Sequence, residues 1–168
     1  MAQNKRESYA EWPDTIIERD YYGWLWRQAE LLRRAEPHYL DWTNLAEELE
    51  GMARNEERSL GSFIERLLVH LLKWAYAPTK RSNSWEVSIE NSRDEIEDAF
   101  ERSPSLKNKL DRIFLRAYTR ARRTAAMQMR LSKEGRESKL PAVCPWSSEL
   151  VLSHDFWPEA TPETNGKS

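Results

Sequence analysis

The sequence predicts an all-α, four-helix bundle-like domain with one long central helix and an extended C-terminal strap. Three observations carry that prediction. Apolar residues recur at helical spacing along most of the chain, and no segment shows the period-two alternation of a half-buried strand. Five glycines in 168 residues suit helices better than a turn-rich sheet. Eight Trp and six Tyr supply bulk for a packed core, whereas disordered chains are poor in aromatics.

The first helix is expected from Asp20 to Arg34. Tyr21, Trp24, Leu25 and Leu32 share one side at helical spacing, with Gln28 among them. Asp14 or Asp20 can cap it, and Glu36-Pro37 ends it. Asp41 is a good N-cap for the second helix, whose stripe runs through Trp42, Leu45, Leu49, Met52, Leu60, Phe63, Ile64, Leu67, Leu71 and Trp74. Ala77-Pro78 stops it after roughly 35 residues, or about 50 Å. Gly51, Asn55 and Gly61 weaken its middle, so a kink or break between Gly51 and Gly61 stays open.

Residues 80–84 form a connector with Ser84 as the expected cap. Trp85, Ile89, Ile96 and Phe100 mark a third helix to about Arg102. Ser103-Pro104 restarts the chain as a cap followed by proline at the first helical position. Leu106, Leu110, Ile113, Phe114, Ala117, Tyr118, Ala121 and Ala125 then carry a fourth helix to about Met129. Pro141, Trp146, Leu150, Phe156, Trp157 and Pro158 are too apolar for a free tail. Residues 140–158 are therefore read as a strap across the bundle, with a short turn near Ser147, and 159–168 as frayed. The expected organisation is one domain over 1–158.

The charge of 26 Lys+Arg against 28 Asp+Glu selects no partner class. Cys144 is the only cysteine, which excludes an internal disulfide and fits a reducing compartment. It sits in Val143-Cys144-Pro145-Trp146 without a nearby His, as a small packed hydrophobe would. The N-terminus lacks the apolar stretch of a signal peptide, and the longest apolar run is broken by His70 and too short to span a bilayer. A soluble cytoplasmic protein without membrane contact is expected.

Several motifs together resemble a bacterial family, the domain of unknown function family 29. They are Leu40-Asp41-Trp42 with Leu45-Ala46-Glu47-Glu48, the His70-Leu71-Leu72-Lys73-Trp74 run, Arg81-Ser82-Asn83-Ser84-Trp85, Ser103-Pro104-Ser105-Leu106, Ala117-Tyr118 with Ala121-Arg122, and Phe156-Trp157-Pro158. The match runs in order from about Tyr21 to Pro158. The resemblance implies a helical fold and a bacterial source, and no activity. Members often carry a Thr-rich, Glu-containing helix end where this chain reads Ala125-Ala126-Met127-Gln128-Met129, so no polar role is expected there.

Two polar constellations stand out. His70 lies on the stripe of Phe63, Leu67 and Trp74, Glu48 at its edge, Glu56 near its centre, and Arg93 at the apolar border of the third helix. Buried ionisable groups must pair or shift their pKa, so Glu48, Glu56, His70 and Arg93 could meet between helices as an acid/base or metal site. The simpler reading makes His70 a hydrogen-bonded core histidine. No Glu-x-x-His pair of a di-metal bundle occurs, and neither a metal nor a cofactor is expected. The second constellation is charge segregation: residues 107–139 hold 11 Lys+Arg against 3 acids, whereas 1–106 hold 14 against 21. Arg112, Arg116, Arg120 and Arg123 line one face of the fourth helix. Such a face can neutralise phosphates, or lie beside the acids Glu90, Asp94, Glu97, Asp98 and Glu101 of the third helix; the near-equal opposite charges point to the latter.

The function expected is a non-catalytic binding or assembly module, with a second copy or another protein as partner. Two alternatives remain: an enzyme or metal-binding protein using the Glu/His/Arg cluster, and nucleic-acid binding through the basic helix. No nucleophile with an adjacent base and no phosphate-cradling glycine loop supports the former. Few aromatics interleave with the basic face, and nucleic acid is not the expected partner.

Overall fold

A computed structural model describes residues 17–161. Its helices are α1 (Tyr21–Arg33), α2 (Trp42–Tyr76), α3 (Asn83–Arg102), α4 (Leu110–Gln128), α5 (Lys133–Lys139) and α6 (Ser148–Leu152), joined in part by short 3-10 turns. No strand occurs among the described residues, and four long helices give the expected all-α, bundle-like class. The Asp14 cap, Trp12 and most of the frayed tail lie outside the described residues.

Helix α2 is continuous through Gly51 and Gly61. At Gly61 a Cβ would make ordinary van der Waals contacts, 3.4 Å from Arg120 Nη2 and 3.5 Å from Ile113 Cγ2. Two boundaries differ from expectation. α3 begins two residues early, with Ser82 rather than Ser84 as its cap residue. Ser103-Pro104 does start helical structure, but as a 3-10 segment (Pro104–Lys109) before α4 takes over. Proline fixes a φ that suits either geometry.

The chain forms two compact units, Met1–Arg54 and Asn55–Ser168. In the first, Asp20 caps α1 by accepting from the Gly23 amide at 2.9 Å. Asp41 joins α1 to the start of α2. Its Oδ2 accepts from Trp24 Nε1 (3.2 Å) and Asn44 Nδ2 (2.7 Å), its Oδ1 accepts from the Asn44 amide (3.3 Å), and its own amide donates to Gln28 Oε1 (2.9 Å). Gln28, polar on an apolar face, is therefore buried and satisfied. The Asn44 side-chain hydrogen bond is the main reason the Asp41 carboxyl titrates below the usual range.

In the second unit, Leu60, Ile64, Leu67, Leu68, Leu71 and Leu72 of α2 share one core with Ile89 and Ile96 of α3 and Ala117, Tyr118, Ala121 and Ala125 of α4. Helices α2 and α4 run parallel, because their polar contacts keep a constant separation of 55 residues: Glu57 with Arg112, Glu65 with Arg120, Lys73 with Gln128. Helices α2 and α3 run antiparallel, since Glu56 lies near Arg102, Arg66 meets Ser92, and Lys73 lies over Trp85. The strap closes this unit. Tyr118 donates to the Pro141 carbonyl (2.7 Å), Arg122 to that of Leu140 (2.8 Å), Trp157 packs on Trp74 (4.9 Å between centroids), and Ser147 caps α6. The Thr161 amide reaches the Ala75 carbonyl at 2.8 Å, so the chain is held beyond Pro158.

Candidate functional site

His70 lines an open groove of about 450 Å³ between α2 and α4, with Ser62, Glu65, Arg66, Val69, Thr124 and Gln128. Its Nδ1 stands 2.9 Å from the Arg66 carbonyl, one turn back. A carbonyl only accepts, so Nδ1 carries the proton and the neutral ring offers Nε2 as an acceptor. Burial pushes the His70 pKa down, the Arg66 carbonyl opposes that, and the charges of Lys73 and Arg66 add to the depression. Both neighbours are themselves held: Lys73 by Gln128 Oε1 (2.9 Å) and the Trp85 ring, Arg66 by Ser92 (2.9 Å) and Glu95.

The groove can accept and donate hydrogen bonds, but among the described residues it holds no nucleophile paired with a base. Ser62 donates to the Arg58 carbonyl and Thr124 lies toward Glu65, so neither hydroxyl is bonded to His70. Burial raises the Cys144 thiol pKa, which leaves it a poor nucleophile. No group of three or more His, Cys, Asp or Glu placed to hold a metal ion occurs among the described residues.

The other members of the predicted cluster have their own partners. Glu48 accepts from the Tyr21 hydroxyl at 2.7 Å. Glu56 is exposed and 3.9 Å from Arg102. It lies fourteen residues before His70 on α2, about 21 Å along the axis, which keeps the two apart. Arg93 is buried, as its border position suggested, but it serves the strap. Its guanidinium donates to the carbonyls of Val151 (3.2 Å), His154 (3.4 Å) and Phe156 (2.6 Å) and to Glu90 (2.8 Å). Glu90 in turn meets His154 Nδ1 at 2.7 Å. Burial lowers the Arg93 pKa and Glu90 counteracts it. No sequence spacing announces these contacts, because three of the acceptors are backbone atoms about sixty positions away.

The basic face is engaged differently from expectation. Arg112 and Arg120 pair with Glu57 (2.5 Å) and Glu65 (2.6 Å) of α2, not with the acids of α3. The parallel register sets this: both acids and both arginines are eight residues apart, a legible signal in the sequence. Arg116 and Arg123 are exposed. Gln128 is a further correction, since it takes a polar role, binding Lys73, within the segment where none was expected.

A family model, Domain of unknown function DUF29, matches residues 16–157. No curated protein and no solved structure matches the chain.

Proposed function

This chain belongs to the DUF29 family, and from that premise we propose that it is a non-catalytic binding or assembly module. One observation carries the reading. Tyr21, Tyr22, Leu25, Trp26, Leu32, Tyr39, Trp42, Leu49 and Met52 are all exposed, and all belong to the N-terminal unit. A concentration of large apolar side chains, rich in Trp and Tyr, is what interfaces are made of, whereas singly scattered ones need no explanation. Support for chemistry is thinner: His70 offers an acceptor with no hydroxyl or thiol bonded to it. The lone Cys144 and the absence of a described helix long and apolar enough to cross a membrane are consistent with a bacterial cytoplasmic setting.

An apolar dye such as ANS tests the reading. The full chain is expected either to bind it under native conditions or to self-associate. In a dye-binding chain, the double variant Leu49→Ser, Met52→Ser is expected to lose much of the signal with unchanged far-UV circular dichroism. A monomer silent to the dye sinks the reading.

A further inference from the structure

The first three turns of α2 carry an uncovered apolar face. Trp42, Leu49 and Met52 are 59%, 60% and 64% exposed. Leu45 is half-buried, and Ala46 and Ala53 are exposed. At helical spacing these six residues fall within roughly a third of the circumference. Positions 42, 45, 49 and 52 are the a and d sites of a heptad pattern, and both alanines fall at e. The opposite border is occupied: Glu48 takes the Tyr21 hydroxyl and Asp41 takes Trp24 Nε1, so α1 lies along that side. The open face is thus bounded by α1 on one flank and by small residues on the other.

We propose that this face packs against the same face of a second copy of the chain, the two α2 helices antiparallel about a two-fold axis that crosses at the level of residue 47. The inference rests on the binding-module reading and names its partner. The spacing is self-complementary: Trp42 would meet the position of Met52 in the second copy, and Leu45 that of Leu49. Every layer is apolar, and each bulky indole faces a slender, adaptable methionine. A parallel pairing would force two indoles into one layer. Ala46 falls opposite its own counterpart near the axis, where a small side chain lets the backbones approach. The next a position is Glu56, a charge that ends the stripe, so the register has little freedom to slide. Area supports the occupant as well. Trp42, Leu49 and Met52, each about three-fifths exposed, offer on the order of 400 Å² per copy before Leu45 and the two alanines are added, so a pair would bury about 1,000 Å² in total, the low end for a specific interface. A two-fold pair is the commonest assembly such a surface makes.

Sedimentation velocity on the full chain is expected to show a dimer at micromolar concentration. Leu49→Glu should weaken it about a hundredfold, roughly tenfold for each of two symmetric sites, with helicity unchanged because Leu49 is exposed within the chain. Under mild oxidation Ala46→Cys should form a disulfide-linked dimer faster than Ala53→Cys, with the unsubstituted chain as control for Cys144. Equal cross-linking at both positions, or faster linking through Ala53→Cys, overturns the arrangement. A monomer that binds ANS overturns the second copy as partner and leaves the binding-module reading standing. A monomer that binds no dye removes both.

Discussion

Leu60, Ile64, Leu67 and Leu71 of α2 are sealed in the C-terminal unit, whereas Trp42, Leu49 and Met52, on the same apolar stripe by sequence, are exposed in the N-terminal unit. The residue types are alike and the periodicity is unbroken. The difference is what lies opposite. Past Asn55 the stripe meets α3 and α4 and is held by ion pairs at eight-residue intervals, with the strap closing the unit. Before it, α1 contributes Trp24 and Leu31 to burial and leaves most of its own aromatic side chains at the surface. Amphipathicity thus specifies that a helix face needs cover, and not that the chain itself supplies it.

Three measurements would break or sharpen this contrast. The largest effect is expected from truncation inside the sealed half. Ile64→Ala, at 0% exposure, should destabilise the chain by about 2–5 kcal/mol in denaturant unfolding, while Leu49→Ala at a concentration too low for association should stay within about 0.5 kcal/mol. Similar losses for both would mean the two halves are equally covered. Next comes the strap. Arg93→Met leaves three buried or half-buried carbonyls without their donor and should cost about 3 kcal/mol. Hydrogen exchange should speed up across residues 151–157 and remain unchanged around Asp41; a loss of protection in both units would tie them into one cooperative structure.

The smallest effect concerns His70. Its folded pKa is depressed below the 6.5 of an ordinary histidine, so the unfolded chain takes up the proton first as pH falls. Stability is therefore fully present above about pH 6.5 and declines below it, with a slope under about 1.4 kcal/mol per pH unit. His70→Gln should flatten that decline. An unchanged slope in the variant would show that His70 is not the group responsible, and would leave the neutral-imidazole account of the groove without support.

Legibility in the sequence followed range. The existence and order of the four long helices, the Asp20 and Asp41 caps, the proline stop after α2 and the strap over 140–158 could all be read, because each depends on periodicity or on residues a few positions apart. Helix α5 carries no apolar period and was not anticipated. The polar cluster was legible only as a set of anomalies. Arg93 and Gln28 were rightly conspicuous as polar residues at apolar positions, yet the first donates to backbone carbonyls about sixty positions away and the second accepts from the Asp41 amide thirteen positions on.

His70 shows where that boundary falls. The sequence by itself determined a histidine on the apolar stripe of a long helix, and with it the need for either a hydrogen bond or a shifted pKa, since an imidazole cannot be buried unsatisfied. Only the tertiary structure decided that Nδ1 is satisfied one turn back by Arg66 and that Nε2 is left as an acceptor beside the groove. The same holds for the stripe itself. Its hydrophobicity is written residue by residue, but whether it is sealed depends on the register of α3 and α4 against α2, a long-range property that no local spacing encodes.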